Sequence, residues 1–270
     1  MISPLSTFRS VGIAVFVGFG FLTSASAVPT SEEEFVYAAG ALNGRAGGTG
    51  WAGAWTISGA GANVTNPGFS YTDANSAVLP VAGGKATLPG GDAGNFRLTS
   101  NSPDTVGTLY VSFLGQMTAN PIGGYAGLSL FQGTAPAGEF LFFGKPTNET
   151  NWGFDLKGGV VNTEVGTTPA SALSLLVYRV DFGSPTTVRL FVNPTLGTEP
   201  AVASATGSRT NFTWDTIRIQ SGNGAVGSFD EIRIGTDYAS VAPVPEPGSF
   251  VVILSACGAL GWVRPRKVCG

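Results

Sequence analysis

Punctuation constrains this chain more than any single motif. From Val78 onward, short apolar segments are cut by Gly, Pro or Asn at intervals of roughly ten to fourteen residues, the rhythm of strands joined by turns. Several segments alternate apolar and polar side chains with period two, and none repeats them at the helical period of 3.6. Glycine supplies 40 of the 270 residues and proline 17, which works against long helices and favours tight turns. The pattern predicts an all-β body, an antiparallel β-sandwich of the jelly-roll kind.

Individual segments sharpen that expectation. Val106 to Met117 (VGTLYVSFLGQM) carries Leu109, Val111 and Phe113 on one face and Tyr110, Ser112 and Leu114 on the other. Both faces are partly apolar, which places this strand centrally in its sheet. Phe35 to Ala39 reads as a first strand. Asn95 to Thr99, Tyr125 to Phe131, Glu139 to Gly144, Asn151 to Leu156 and Gly159 to Val165 follow. Leu173 to Phe182 and Thr186 to Asn193 read as a hairpin around Gly183-Ser184-Pro185, and Thr213 to Gln220 and Phe229 to Ile234 close the body. Asp230 shares parity with Ile232 and Ile234, so it is expected to be partly buried and hydrogen-bonded to backbone.

The two ends read differently from the body. Arg9, the apolar stretch Val11 to Leu22 and the small-residue site at Ala25 and Ala27 describe a signal peptide over residues 1–27, cleaved before Val28. Residues 28–240 form the sandwich, and 241–249 a proline-rich linker containing Pro245, Glu246 and Pro247. Residues 250–270 hold an apolar run, Phe250 to Val263, followed by Arg264, Arg266 and Lys267. As a helix the run is about 21 Å long, short of the ~30 Å hydrocarbon core. Two readings stand here: a transient transmembrane tether that is removed, or a plain single-pass anchor with the body outside.

Composition removes several chemistries. There is no histidine, which excludes a Ser-His-Asp triad and imidazole metal ligation. Both cysteines, Cys257 and Cys269, lie in the tail, so the body is expected to lack thiol chemistry and disulfides. The body carries ten basic and sixteen acidic side chains, a net of about −6, which argues against nucleic acid as a partner. Glu32, Glu33 and Glu34 read as a solvated face rather than a metal site. An oxygen-only Ca²⁺ site could draw on Asp73, Asp92, Asp104 or Asp155, but these acids are scattered and read as solvated loop carboxylates, so no cofactor is expected. Trp51 and Trp55 share a face if their segment is extended. They serve either core packing or as an aromatic platform for a sugar ring. Glycoside hydrolysis needs two nearby carboxylates. The nearest pair, Asp230 and Glu231, would point to opposite faces of a strand, so a non-enzyme is expected.

The order Val-Pro-Glu-Pro-Gly-Ser, short apolar helix, then Arg and Lys resembles the PEP-CTERM sorting signal of Gram-negative bacteria. The resemblance implies that an exosortase reads Pro245, Glu246 and Pro247 and removes the helix during export to the cell surface or extracellular matrix. Pro265 interrupts the basic cluster and a Val-Cys-Gly extension follows it, which departs from the pattern. The Leu-Val-Tyr-Arg-Val-Asp-Phe and Val-Arg-Leu-Phe-Val-Asn-Pro pair, with Phe-Asp-Glu-Ile-Arg-Ile-Gly after it, is similar to the final strands of concanavalin A-like (laminin-G-like) jelly rolls. Enzymes on that fold carry Glu-x-Asp-x-Glu or Glu-x-Asp-x-x-Glu on one strand, and no such run occurs here. The resulting expectation is an exported, non-enzymatic bacterial surface or matrix protein. Its implied partners are the exosortase and secretion machinery, and the inner membrane through residues 250–263. The alternatives are a carbohydrate-binding module retaining exopolysaccharide and a glycan-cleaving enzyme.

Overall fold

The computed structural model describes residues 27–100, 105–156 and 163–244. Residues 1–26 of the signal segment, Pro245-Glu246-Pro247, the tail at 250–270 and Asp104 therefore lie outside the described residues. The first half of the body contributes β1 (Ser31–Glu33), β2 (Gly40–Ala41), β3 (Thr56–Gly59), β4 (Asn63–Thr65), β5 (Lys85–Leu88), β6 (Ala93–Leu98), β7 (Gly107–Ala119) and β8 (Tyr125–Phe131). The second contributes β9 (Glu139–Lys145), β10 (Asn151–Asp155), β11 (Thr163–Pro169), β12 (Ser174–Phe182), β13 (Thr186–Val192), β14 (Ala205–Arg209), β15 (Thr216–Gly222) and β16 (Val226–Gly235). One turn of helix, α1 (Tyr238–Val241), follows.

These strands make two antiparallel sheets, a β-sandwich. The nine-stranded sheet runs β14-β13-β12-β7-β16-β5-β4-β2, with β1 also on β16, and the seven-stranded sheet runs β11-β10-β9-β8-β15-β6-β3. β7 lies between β12 and β16, the central place its two apolar faces predict. Its Leu109, Val111 and Phe113 enter the core between the sheets, while Tyr110 and Leu114 enter a second apolar cluster on the outer face. The β12–β13 hairpin forms as expected, pairing Asp181 with Thr187 beside the turn. β-Branched and aromatic residues fill it because they pack well on a pleated surface. Between the sheets Phe143 stacks on Tyr178 at 4.2 Å, and Phe113 stacks on the same tyrosine at 5.8 Å. Each such pair adds about 0.5–1.5 kcal/mol beyond the area it buries.

The outer cluster anchors the end of the body. Asp237 accepts from Ser240 N to cap α1, Ser112 Oγ donates to Val241 O at 2.7 Å, and Gly197 N donates to Ala242 O at 2.7 Å. Tyr238, Val241 and Ala242 thereby cover the outer face of the nine-stranded sheet. Among the described residues no helix is long and apolar enough to cross a membrane.

Three expectations need correction. The first strand is Ser31–Glu33, because Phe35 turns the chain with φ of 51°. The Glu32–Glu34 run is not a solvated face: Glu33 is buried and ion-paired with Arg97 of the opposite sheet. Asp230 is fully buried and accepts from the backbone N–H groups of Phe69 and Glu231, as expected, but its parity differs. A bulge at Glu231, φ 53°, inserts a residue opposite β7. Ile232 and Ile234 therefore face the core, while Asp230 and Glu231 share the outer side instead of opposing faces.

Candidate functional site

Register sorts the outer face of the seven-stranded sheet into rows that cross the strands. One row joins Gly94 of β6, Gln220 of β15, Gly127 of β8, Gly144 of β9 and Gly153 of β10, each the pairing partner of the next. Their chain neighbours Ala93, Ile219, Leu128, Phe143 and Trp152 point into the core, so this row points outward. Four of its five positions lack a side chain, which leaves a furrow across the sheet. With strands about 4.8 Å apart, the five-strand row is ~19 Å long. Glycine is obligatory in its middle: a Cβ on Gly127 would lie 2.0 Å from Phe143 O, and one on Gly144, at φ +141°, would lie 2.4 Å from Ala126 O. Tyr178 reaches through the core from β12 and donates its OH to Gly153 O at 2.9 Å, tying the furrow floor to the other sheet.

The rows on either side supply the chemistry. Phe96, Arg218, Ser129, Phe142 and Asp155 are successive pairing partners and form one bank. Tyr125 forms the opposite bank, its ring lying over Gly222, where an added Cβ would approach it to 2.5 Å. Pro146 and Thr147 continue that bank beyond the end of β9. Together they enclose a cleft of about 200 Å³ into which Tyr125, Glu139, Phe142, Asp155, Arg218 and Gln220 are set.

Polar groups in the cleft are held by one another. Glu139 Oε1 accepts from Ser129 Oγ at 2.7 Å and from Gln220 Nε2 at 2.6 Å. Gln220 Nε2 also donates to Ser129 Oγ at 2.6 Å, so strands β8, β9 and β15 are cross-linked at the furrow. The Arg218 guanidinium lies over the rings of Phe96 and Phe131, 5.1 and 5.9 Å from their centroids. Its Nε is buried, with no hydrogen-bond partner among the described residues. Tyr125 and Phe142 meet edge to face at 6.2 Å. The site thus combines carboxylate acceptors, a guanidinium and an amide with aromatic walls. This mixture suits a ligand bearing many hydroxyls, each of which both donates and accepts.

Asp155 was a calcium candidate and lies in this cleft. Asp73 does something else: Oδ2 accepts from Leu196 N, and Oδ1 accepts from Ala77 N and Asn75 N. The bond from Leu196 foremost, with those from Ala77 and Asn75, holds its pKa below the usual carboxylate value, and the carboxylate serves as a loop staple. Asp92 is exposed ahead of β6. Among the described residues, the acids that gather within 4.8 Å are instead Glu32, Glu34 and Glu231. There Arg233 already bridges Glu32 at 2.8 Å and Glu231 at 2.5 Å, supplying positive charge from within the fold. Burial pushes Glu231 up to about 7 and neighbouring Asp230 up to about 8. Burial, then the charge of Glu32, raises Glu34.

The sugar-platform reading of Trp51 and Trp55 does not survive. Trp55 is fully buried and donates Nε1 to Glu33 Oε2 at 3.0 Å. Trp51 is half-buried and donates to Glu32 O at 2.9 Å. The Arg97 guanidinium covers both rings at 5.0 and 5.4 Å, so they pack the core and present no pair of open faces. Of the cleft residues, sequence reasoning passed over Glu139, Arg218, Gln220 and Tyr125. The available signal was glycine inside strands: Gly127 and Gly153 interrupt otherwise apolar segments, which marks a bulge or the close approach of another backbone or a ligand.

No family model matches the chain, and no curated protein matches it. Several solved structures are similar in shape. One comes from work on endo-acting O-glycanases of the human gut microbiota that initiate mucin breakdown, at 11% identity and TM-score 0.44, covering 76% of this chain and 98% of that one. A glycosyl hydrolase family protein from Mycobacterium fortuitum matches at 15% identity and TM-score 0.42, covering 77% and 100%. The binding domain of botulinum neurotoxin serotype D matches at 10% identity and TM-score 0.44, covering 78% and 49%. Similarity at this level carries no inference about activity.

Proposed function

We propose that this protein is an exported, non-catalytic surface or matrix component whose sandwich binds a neutral glycan in the glycine furrow. The observation that carries the reading is the furrow itself: a floor crossing five strands in which four of the five positions are glycine, with acceptors, donors and aromatic rings along it. Two carboxylates against one guanidinium leave the cleft net negative, so a uronate or sulfate would be repelled while hydroxyls are accommodated. Delivery is assigned to the tail, with Pro245, Glu246 and Pro247 read by an exosortase and residues 250–263 as the transient tether. The test is binding of the mature protein to immobilised neutral and acidic polysaccharides. Retention on neutral polymers, weakened in Arg218→Met, supports the reading, and equal retention of the variant overturns it.

A second reading, glycan cleavage, draws on one specific observation: Glu139 and Asp155 come from adjacent strands and line the same cleft. Inverting hydrolysis uses carboxyl groups roughly 6.5–9.5 Å apart. New reducing ends from a bound polysaccharide, abolished in both Glu139→Gln and Asp155→Asn, would replace the binding reading with this one.

A further inference from the structure

Lys145 is fully buried at the end of β9, yet what meets its ammonium is backbone. Nζ donates to Pro121 O at 2.7 Å, to Ile122 O at 3.2 Å and to Gly124 O. A lysine ammonium has three donors and no acceptor, and here one tight turn supplies a carbonyl to each. Loop carbonyls converging on a point charge are how a chain holds a hard cation, and here the cation is a side chain of the protein itself. Desolvation pulls its pKa down from the ordinary lysine value, and the charge of Glu149 opposes that shift.

The position of this arrangement gives it meaning. Gly124 immediately precedes Tyr125, and Lys145 immediately precedes Pro146 and Thr147, so both parts of one bank of the furrow hang from the same ammonium. The turn is fixed from its other side too. Gly124 N donates to Pro121 O at 3.0 Å, Asn223 Nδ2 donates to Gly123 O at 3.2 Å, and Gly124 sits so close to Ala225 that an added Cβ would approach its methyl to 2.8 Å. The ammonium therefore adds a side-chain link between that fixed turn and the end of β9, beyond the ladder that pairs Ala126 with Lys145.

We propose that Lys145 is a positioning residue for the furrow: its ammonium fills a carbonyl cation site in the 121–124 turn and so sets Tyr125 and the Pro146–Thr147 rim against the opposite bank. The proposal rests on the reading of the furrow as the glycan site, but one arm of its test does not. In Lys145→Ala the missing atoms are those of propylammonium, so the cation can be supplied from solution. Amide hydrogen exchange across Gly123–Tyr125, measured without glycan, is expected to accelerate in the variant and to slow again with propylammonium. Tetramethylammonium, which has no N–H to donate, leaves it fast. Affinity for the neutral polysaccharide that wild type retains is expected to fall about tenfold, the equivalent of ~1.4 kcal/mol, and to recover with propylammonium alone. Unchanged exchange and affinity in Lys145→Ala, or equal rescue by both cations, overturns the proposal. If wild type retains no glycan, the furrow reading fails, and the exchange arm still decides whether the turn is a cation site. Should Lys145→Ala not fold, Lys145→Gln, which keeps two donors without the charge, is measured instead, with intermediate exchange expected and wild-type exchange overturning the idea.

Discussion

Glu33 of β1 and Arg97 of β6 form an ion pair sealed between the two sheets, each side chain only 1% exposed. Around it, Glu33 accepts from Trp55 Nε1, Tyr37 OH and Phe35 N, while Arg97 Nε donates to Gly53 O at 3.1 Å and its Nη2 to Gly47 O. The pair therefore staples the glycine-rich 44–55 stretch to the core. Removing one partner leaves a buried charge unpaired, which costs about 3–5 kcal/mol. Arg97→Met is expected to lower unfolding free energy by that amount in urea titration. Because the two groups share one network, Glu33→Gln with Arg97→Met should cost clearly less than the two single changes added together.

Stability should fall as pH rises through neutrality. Asp230 at about 8 and Glu231 at about 7 lie well above their ordinary values of 3.8 and 4.5, chiefly through burial. The folded state therefore holds protons that the unfolded chain releases, and this contribution is complete below about pH 4 and lost as pH climbs toward 8. Lys85 opposes the effect at Asp230 and Arg233 opposes it at Glu231, whereas Glu32 and Glu34 reinforce it at Glu231. Asp73 and Asp181, whose pKa values are lowered, act oppositely and only at acid pH. Thermal unfolding is expected at lower temperature at pH 8.5 than at pH 5.5, and Asp230→Asn should flatten that difference.

Selectivity in the furrow should follow its charge. Glu139→Gln combined with Asp155→Asn turns the net charge of the cleft from negative to positive while nearly conserving shape. The doubly changed protein is expected to bind uronate-rich polymers better than wild type does, with weaker binding of neutral ones, in parallel titrations at low and moderate salt. Identical selectivity in the two proteins would separate charge from recognition.

Seating of Tyr125 can be tested at a distance. Gly222→Ala places a methyl 2.5 Å from the Tyr125 ring, which must swing aside. Polysaccharide retention should drop about tenfold, the equivalent of ~1.4 kcal/mol, with the near-ultraviolet tyrosine signal changed and the far-ultraviolet β-sheet signal preserved.

Processing is read by mass spectrometry of the protein from its native host. The expected mature chain begins at Val28 and ends between Pro245 and Gly248, and deleting Pro245-Glu246-Pro247 should leave the tail attached. Surface material that retains Cys269 and Gly270 would argue for a permanent anchor.

The sandwich was legible because its signals are local. Period-two alternation, the two-faced strand around Val111 and the Gly183-Ser184-Pro185 turn each declare themselves within a dozen or so residues. The furrow was not: Gly127, Gly144 and Gly153 of successive strands align only through their register, and Gly94 and Gln220 join them from strands distant in sequence. Glu33 misled for a related reason. A run of three glutamates looks solvated until Arg97 arrives from the other sheet to neutralise its middle member. At Asp230 the alternation was sound up to the bulge, and one inserted residue reversed the side on which its neighbour lies.

The placement of α1 sets the path a load would take if the furrow holds a polymer and the tail holds the protein, as proposed. Its end is clamped on the outer face of the nine-stranded sheet by Gly197 and Ser112, whereas the furrow opens on the outer face of the seven-stranded one. Tension between such a polymer and the chain after Val244 would cross the full thickness of the sandwich, through packed aromatic rings and the Tyr178–Gly153 hydrogen bond, before it reached the clamp. A protein fixed at that end would turn its furrow toward the medium, like a cleat bolted by its back plate.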